Sequence, residues 1–223
     1  SLRYAVDASN SLRFSAGRYV QARAPNNLDI TSASQFSTPE SSRQWVVGFE
    51  HRFIKQLALR LEAYAKRGDH IRPHAENILD VITLAPELKV DRVLIAPQQS
   101  SARGIEISVN SERQGPLNWW ASYTWSQIRD RINGQDVPRS WDQPHSFSTG
   151  FAWAAQRWQH SAAFTWHTGW PYTPLQVSNV GGTDTATLGS RNAQRFSDFA
   201  SLDFRTQYQV PFGSTSLEMF IEI

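Results

Sequence analysis

Residues 201–210 read SLDFRTQYQV and alternate between two kinds of side chain at every position. Side chains that suit an apolar surface occupy the even-numbered positions: Leu202, Phe204, Thr206, Tyr208 and Val210. The odd-numbered positions are all polar. This period of two predicts a β-strand with one apolar and one polar face. In a soluble sandwich the apolar face packs into a core, whereas in a membrane barrel it contacts lipid and the polar face lines the lumen.

The same alternation recurs along the chain and predicts ten strands with no helix between them. Their apolar positions span Leu2–Val6, Leu12–Ala16, Trp45–Phe49, Leu57–Ala63, Ile105–Val109, Leu117–Trp125, Phe147–Trp153, Trp158–Trp166, Leu202–Val210 and Leu217–Ile223. Several of these segments reach about 9–11 residues, which is the length of a tilted membrane-spanning strand. Strands in soluble sandwiches are usually shorter, about 5–6 residues.

Short and long connections alternate between these strands. The long connections cover roughly Gln21–Ser42, Gly68–Ser100, Asp130–Trp141 and Pro171–Arg195. Because consecutive antiparallel strands place every second connection at the same end, one rim of the sheet has only tight turns and the other has all the long loops. Outer-membrane barrels have this arrangement, with short periplasmic turns and long extracellular loops.

The composition excludes several classes of protein. Charged residues make up 19% of the 223 residues, below the share of about 25% that soluble domains usually have. No run of 18 apolar residues occurs, so no transmembrane helix is predicted. The chain has no cysteine, which excludes disulfides and thiolate metal sites. The formal net charge is only +2, and this small excess argues against a nucleic-acid partner.

The tryptophans favour a membrane location for the apolar face. Trp119 and Trp125 lie toward opposite ends of one strand face, and Trp158 and Trp166 do the same two strands later. Barrels carry aromatic girdles at both membrane interfaces, which would produce this spacing. The alternative is a soluble, carbohydrate-binding sandwich with these side chains in its core. That fold would leave Trp120 on a water-facing surface.

Eight segments carry a further signal: LRFSAGRYVQARAPNNL (Leu12–Leu28), PESSRQWVVGFEHRF (Pro39–Phe53), LRLEAYAKRGDHI (Leu59–Ile71), ARGIEISV (Ala102–Val109), LNWWASYTWSQIRDR (Leu117–Arg131), DQPHSFSTGFAW (Asp142–Trp153), HTGWPYTP (His167–Pro174) and FASLDFRTQYQV (Phe199–Val210). They resemble, in the same order, the C-terminal half of the barrel of TonB-dependent outer-membrane receptors. The resemblance implies an all-β fold: a transmembrane antiparallel β-barrel fragment of about ten meander strands, from a 22-stranded barrel with a plugged lumen. We expect residues 1–223 to be the C-terminal part of that barrel domain, without the plug domain, the N-terminal coupling box and the last strand.

The resemblance also implies a function in the outer membrane of a Gram-negative bacterium. There the protein would be a receptor for energised uptake of a large, scarce nutrient: a siderophore, another metal chelate or an oligosaccharide. Its expected partners are outer-membrane lipid, its own plug domain, an extracellular ligand and the inner-membrane energy-coupling protein, which a segment outside this chain would contact. The main alternative is a passive porin-type channel or other outer-membrane barrel without a plug, and a barrel enzyme is a third hypothesis.

Binding residues concentrate on loops that a rigid scaffold holds in place, so ligand contacts are expected in the long loops. The ligand-binding candidates combine cationic and aromatic side chains: Arg72, Arg92, Trp141, Trp170 and Tyr172. Arg139 and Arg191 are further cationic loop residues of the same kind. The polar register of the strands supplies the candidates for the lumen wall: Glu106, Ser122, Asp203, Arg205 and Gln207.

We expect no enzymatic activity, no cofactor and no metal site. Asp142, His145 and Ser146 supply an acid, a base and a nucleophile, but proximity in sequence does not establish the geometry of a triad. His70 and His74 are four residues apart, a spacing that can hold a metal on a helix. The proline between them argues against a regular helix there.

Overall fold

The computed structural model describes residues 1–21, 38–54, 57–78, 92–111 and 115–223. Within these ranges the protein is all-β, and its strands are numbered β1 to β17 in chain order. None of the described segments forms a helix that is long and apolar enough to cross a membrane. The fold class predicted from the alternation of side chains is therefore confirmed.

Ten strands form one antiparallel sheet in which each strand pairs with its neighbours in this order. They are β1 (Leu2–Ala5), β2 (Asn10–Gln21), β3 (Glu40–Ile54), β4 (Leu57–Asp69), β7 (Gln99–Ser111), β8 (Leu117–Ile132), β10 (His145–Ala155), β11 (Trp158–His167), β16 (Phe199–Phe212) and β17 (Thr215–Glu222). These strands correspond one to one to the ten predicted from the sequence, so the meander is confirmed. Among the described strands, β1 and β17 each have one partner within the sheet, which is therefore open. Closure into a 22-stranded barrel stays a prediction.

The two rims of the sheet differ as predicted. The tight-turn rim carries the short connections, including residues 6–9, 156–157 and 213–214. The long-loop rim carries loop A (residues 70–98), loop B (133–144), loop C (168–198) and the connection between β2 and β3. Residues 22–37, 55–56, 79–91 and 112–114, which belong to connections at the two rims, lie outside the described residues.

The long loops contain short strands of their own, which the sequence analysis did not predict. These are β5 (His74–Asn77) and β6 (Arg92–Ile95) in loop A, β9 (Gln135–Pro138) in loop B, and β12 (Pro171–Tyr172), β13 (Leu175–Val180), β14 (Thr183–Leu188) and β15 (Gln194–Arg195) in loop C. β9 folds back on β8 through Asn133 and Gly134, both with positive φ (51° and 80°). An Asn-Gly pair suits this two-residue hairpin because both residues tolerate positive φ, so the dipeptide was an available signal.

Cross-strand registers assign the side chains of the sheet to two faces, because directly paired residues point to the same side. One row of paired residues crosses eight strands: Leu12, Phe49, Leu61, Ile107, Tyr123, Phe147, Trp166 and Ala200. We call the side that carries this row the apolar face and the opposite side the polar face. Six residues that the alternation assigns to lipid share the apolar face: Leu117, Trp119, Ala121, Tyr123, Phe204 and Tyr208.

The apolar face is not covered by another layer of the described chain. Trp119 and Phe204 are 37% and 39% exposed. Among the described residues, the buried apolar side chains are those of Ile95, Pro97 and Pro171, and all three lie in the long loops. A sandwich needs an enclosed core between two sheets. The soluble sandwich is therefore wrong, and the exposed apolar face is the kind of surface that a membrane barrel presents to lipid.

Two of the large aromatic side chains on the polar face, Trp120 and Tyr64, each cover a glycine of the neighbouring strand. A Cβ added at Gly150 would lie 3.0 Å from Nε1 of Trp120, and one added at Gly104 would lie 2.6 Å from the hydroxyl oxygen of Tyr64. Each ring fills the space that the missing side chain leaves, an arrangement that compensates for glycine in a strand. These rings therefore need no apolar core to explain their position.

Candidate functional site at the long-loop rim

One carboxylate joins all three described loops at this rim. Glu76 in loop A accepts a hydrogen bond from the hydroxyl of Ser140 in loop B (2.8 Å) and forms an ion pair with Arg191 in loop C. Its other oxygen contacts Nε2 of His74 at 2.8 Å. Asn192 adds a second link between loops C and B, because its side-chain amide donates to the Ser140 hydroxyl at 3.2 Å. We call these five residues the three-loop junction.

The junction changes the acid–base properties of two of its members. Burial alone would raise the pKa of Glu76, but the hydrogen bond with His74, the charge of Arg191 and the Ser140 hydroxyl outweigh it and lower this pKa to about 2. The hydrogen bond to Glu76 in turn raises the pKa of His74 above its usual value, against a smaller opposing effect of burial. Both shifts indicate that the charged forms of the two side chains are stabilised by the folded loops.

These shifts give the junction a preferred pH range. The lowered pKa of Glu76 contributes stability that is present above its ordinary value of 4.5 and is lost as the pH falls toward 2. The raised pKa of His74 contributes stability that is present below its ordinary value of 6.5 and is lost as the pH rises through the folded value. The loops should therefore hold together best between these two ordinary values.

Replacing Glu76 with glutamine should loosen all three loops together, because the Arg191 cation then lacks its partner. We expect faster amide hydrogen exchange at residues 138–142 and 190–193 in the full-length protein, measured near pH 6 with intrinsic rates taken into account. The control is Asp184→Asn, which alters an exposed hydrogen bond with Asn179 inside loop C alone. Unchanged exchange in loop B of the Glu76 variant would contradict the junction.

Two buried carboxylates fasten loops B and C to the end of the sheet. Asp142 is 2% exposed, accepts the backbone N–H of Ile128 in β8 at 2.7 Å and binds the guanidinium of Arg195 at 2.5 Å. Asp130 at the end of β8 is 3% exposed and holds Arg139 through two bonds of 2.7 and 2.8 Å. Because burial of a carboxylate requires partners, these pairs act as fixed attachment points for the loops.

An aromatic cluster lies beside these attachments. The rings of Trp141 in loop B and Trp170 in loop C meet edge to face with centroids 4.6 Å apart. His167 stacks against Trp170 at 5.9 Å and against Phe199 at 5.0 Å, which extends the cluster from the loops to the start of β16. Tyr172 stacks on Phe196 at 4.6 Å. The Trp141 side chain remains 48% exposed, so the cluster offers ring surface to solvent.

The structure brings some of the predicted ligand-binding residues together. Trp141 and Trp170 contact each other, and Tyr172 follows two residues after Trp170. Arg72 is paired with Glu40 at 3.4 Å. Arg92 lies exposed on β6 in loop A, whereas the aromatic cluster is formed by residues of loops B and C. A ligand-binding role for any of the five stays a prediction.

The remaining loop arginines have a structural partner that the sequence analysis did not foresee. Arg139 is held by Asp130, and Arg191 is held by Glu76. Both cations are therefore neutralised within the protein. The carboxylates that do this, Asp130 and Glu76, were missed because no local pattern distinguishes a carboxylate that pairs with a distant arginine from a solvated one.

The candidates for the lumen wall all lie on the polar face: Glu106, Ser122, Asp203, Arg205 and Gln207. Ser122 bonds to Ser148 on the next strand at 2.9 Å. Arg205 donates to Gln207 at 3.2 Å and lies 4.4 Å from the ring centroid of Phe220. The shared face agrees with the alternation, and its assignment to a lumen stays a prediction.

The possible triad does not assemble. His145 contacts the hydroxyl of Tyr123 on the apolar face at 2.8 Å, whereas Ser146, the next residue of the strand, lies on the polar face. Asp142 is occupied by Arg195 and the backbone of Ile128. Among the described residues, no group of three His, Asp or Glu side chains is placed to hold a metal ion, and His74 contacts Glu76 instead.

The fold matches solved outer-membrane receptors. The ferripyoverdine receptor of the outer membrane of Pseudomonas aeruginosa superimposes with a TM-score of 0.61 at 14% identity, over 94% of this chain and 26% of that one. The ferric-catecholate import receptor Fiu from E. coli K12 gives 0.61 at 15% identity, over 94% and 28%. The copper transporter OprC gives 0.62 at 11% identity, over 94% and 30%. The chain thus spans between a quarter and a third of the length of these proteins.

Sequence comparison gives the family directly. No curated protein matches this sequence significantly. A sequence model of the family described as "TonB dependent receptor-like, beta-barrel" matches residues 1–221, nearly the full length of the chain. The structural matches, at 15% identity or less, show the same barrel fold. The chain therefore belongs to the family of TonB-dependent receptor-like β-barrels.

Proposed function

We propose that this chain is part of the barrel of an outer-membrane receptor that takes up a large, scarce nutrient with energy from the inner membrane. The observation that carries the proposal is the asymmetry of the rims: loops A, B and C, tied together by the three-loop junction, all lie at one end of the sheet. A preorganised rim of this kind suits recognition of a bulky ligand from one side of a membrane.

The ligand class is a siderophore, another metal chelate or an oligosaccharide. Related barrels support the siderophore and metal classes, since they include a ferripyoverdine receptor, a ferric-catecholate import receptor and a copper transporter. The exposed rings of the aromatic cluster would stack on a flat or sugar ligand. Arg72 and Arg92 are the cationic candidates for an anionic chelate, which would compete with Glu40 for Arg72.

The polar face would line the lumen, with Glu106, Ser122, Asp203, Arg205 and Gln207 in contact with water or with a plug. Charged side chains inside a barrel need partners or water, and both are available in a plugged lumen. We further propose that the rest of the barrel, the plug domain and the segment that engages the inner-membrane energy-coupling protein come from other parts of the same protein. The membrane would be the outer membrane of a Gram-negative bacterium.

Uptake by cells that express the full-length protein tests this proposal. We expect ligand accumulation to stop when the inner-membrane proton gradient is collapsed, while surface binding continues.

Removing about ten residues within Gly68–Ser100 should weaken binding and leave barrel assembly intact, because surface loops tolerate length changes at small entropic cost. An equal deletion cannot be made in the tight turns, so the control is Gly213→Ala at that rim, which should leave binding unchanged. Ligand entry that persists without the gradient would favour the passive porin.

A further inference from the structure

The apolar face changes character abruptly toward the long-loop rim. The row that contains Val47 and Ile105 continues to Trp125 and His145. The next row toward the rim contains Trp45 and Arg103. One row further, the paired residues are Arg18, Arg43, Arg67, Ser101 and Arg129. Hydrophobic side chains are thus followed by tryptophans and then by arginines, all on the side of the sheet that faces away from the polar face.

Six arginines on this part of the apolar face form what we call the arginine patch: Arg18, Arg43, Arg67, Arg103, Arg129 and Arg131. The patch crosses five strands, about 19 Å at about 4.8 Å per strand. Two carboxylates, Asp69 and Asp136, lie on the same part of the face among the described residues. Asp69 binds Arg43 at 3.1 Å, and Asp136 lies 3.9 Å from Arg131. Six cations against two anions leave a net positive surface.

The direct pairing of arginines across strands in the patch would destabilise the sheet without a bound anion. Arg18, Arg43 and Arg67 are directly paired on three adjacent strands, and like charges in that position destabilise a sheet. Neither Arg18 nor Arg67 forms an ion pair with any described residue. Arg43 is 52% exposed even though it contacts Asp69. The guanidinium groups are therefore accessible, close together and incompletely neutralised.

We propose that the arginine patch binds lipid headgroups that carry more than one phosphate, in the membrane leaflet on the long-loop side. Tryptophans of a membrane protein lie at the level where acyl chains meet headgroups. The row of the patch that contains Arg18, Arg43 and Arg67 lies one row beyond Trp45 on the side of the long loops. Arginine binds phosphate oxygens through two parallel hydrogen bonds. A headgroup with several phosphates matches a patch that presents several aligned arginines, whereas a zwitterionic headgroup does not neutralise them. The membrane orientation in this inference rests on the proposed function.

Lipid binding by the purified full-length protein tests the inference without using any nutrient. The probe is a bisphosphorylated glycolipid in mixed micelles of neutral detergent, with phosphatidylcholine as the zwitterionic comparison. The triple variant Arg18→Gln, Arg43→Gln, Arg67→Gln should bind the probe about 100-fold more weakly, as expected for loss of three arginines at an anionic surface. The matched control, Arg3→Gln, Arg13→Gln, Arg60→Gln, removes three arginines from the polar face and should bind as the parent does. Binding by the parent should also weaken as salt concentration rises.

Thermal stability gives a second measurement that does not depend on the binding assay. In detergent alone the triple glutamine variant should unfold at or above the temperature of the parent, because repulsion is relieved. With the bisphosphorylated lipid, the parent should unfold at a higher temperature than the glutamine variant. If the glutamine variant does not fold, the corresponding triple lysine variant keeps the charges, loses the bidentate bonds and should bind more weakly than the parent.

Several outcomes would overturn the inference. They are equal binding by the parent and the glutamine variant, equal binding of both lipids, and complete displacement of the lipid by millimolar inorganic phosphate, which would indicate a site for free anions. Because no nutrient is present, any of these outcomes leaves the proposed uptake function standing. Conversely, lipid binding would persist if uptake proved to be passive.

Discussion

Arginine in place of Ala121 should lower the free energy of unfolding of the full-length protein in lipid by about 2–4 kcal/mol, the cost of a lipid-facing arginine near the middle of the bilayer. Ala121 lies between Trp119 and Trp125 on the apolar face of β8 and is paired with Val109 on one side and Thr149 on the other. No water or carboxylate is available to an arginine there if the face contacts acyl chains. The measurement is reversible denaturant unfolding in liposomes.

Ser122 provides the matched control, because it is the next residue of the same strand and points to the opposite face. Its paired neighbours are Ser108 and Ser148, so an arginine at this position meets polar side chains and lumen water. We expect Ser122→Arg to cost much less than Ala121→Arg. Equal costs would show that the two faces do not differ in environment, and the membrane assignment of the apolar face would fail.

The second large effect concerns the buried attachment of loops B and C. Replacing Asp142 with asparagine removes the carboxylate that binds Arg195 and weakens the bond accepted from the Ile128 N–H. Breaking a buried ion pair by removing one partner costs about 3–5 kcal/mol, and we expect the lower end because Arg195 is 31% exposed. The loss should appear as local opening, since the loops do not hold the sheet together.

Amide hydrogen exchange of residues 139–142 and 194–196 measures this opening. The control is Asp136→Asn in the same loop, which removes a carboxylate 3.9 Å from Arg131 with both side chains more than half exposed. An exposed ion pair of this kind contributes about 0–1 kcal/mol to stability. The amide exchange rates of the Asp136 variant should therefore be nearly those of the parent. Similar exchange in both variants would mean that Asp142 does not anchor the loops.

The sequence was enough to predict where the candidate site lies, but not which contacts hold its loops together. The alternation of short and long connections was enough to place Trp141, Trp170 and Tyr172 at one rim, and the structure has them there. The short strands inside the loops were missed, although the Asn133–Gly134 pair was a readable hairpin signal. Glu76 carried no signal at all, because its partner Arg191 is 115 residues away in the chain.

The sequence by itself determined the ten strands, their two faces and the separation of the rims. Each of these follows from the backbone, since side chains alternate across a strand and antiparallel neighbours reverse direction. Only the tertiary structure decided which charges meet. Arg18, Arg43 and Arg67 are isolated in the sequence and become one row only through the register of three strands. The three-loop junction likewise depends on how separate loops fold back over the rim, and a contact between distant segments leaves no local pattern.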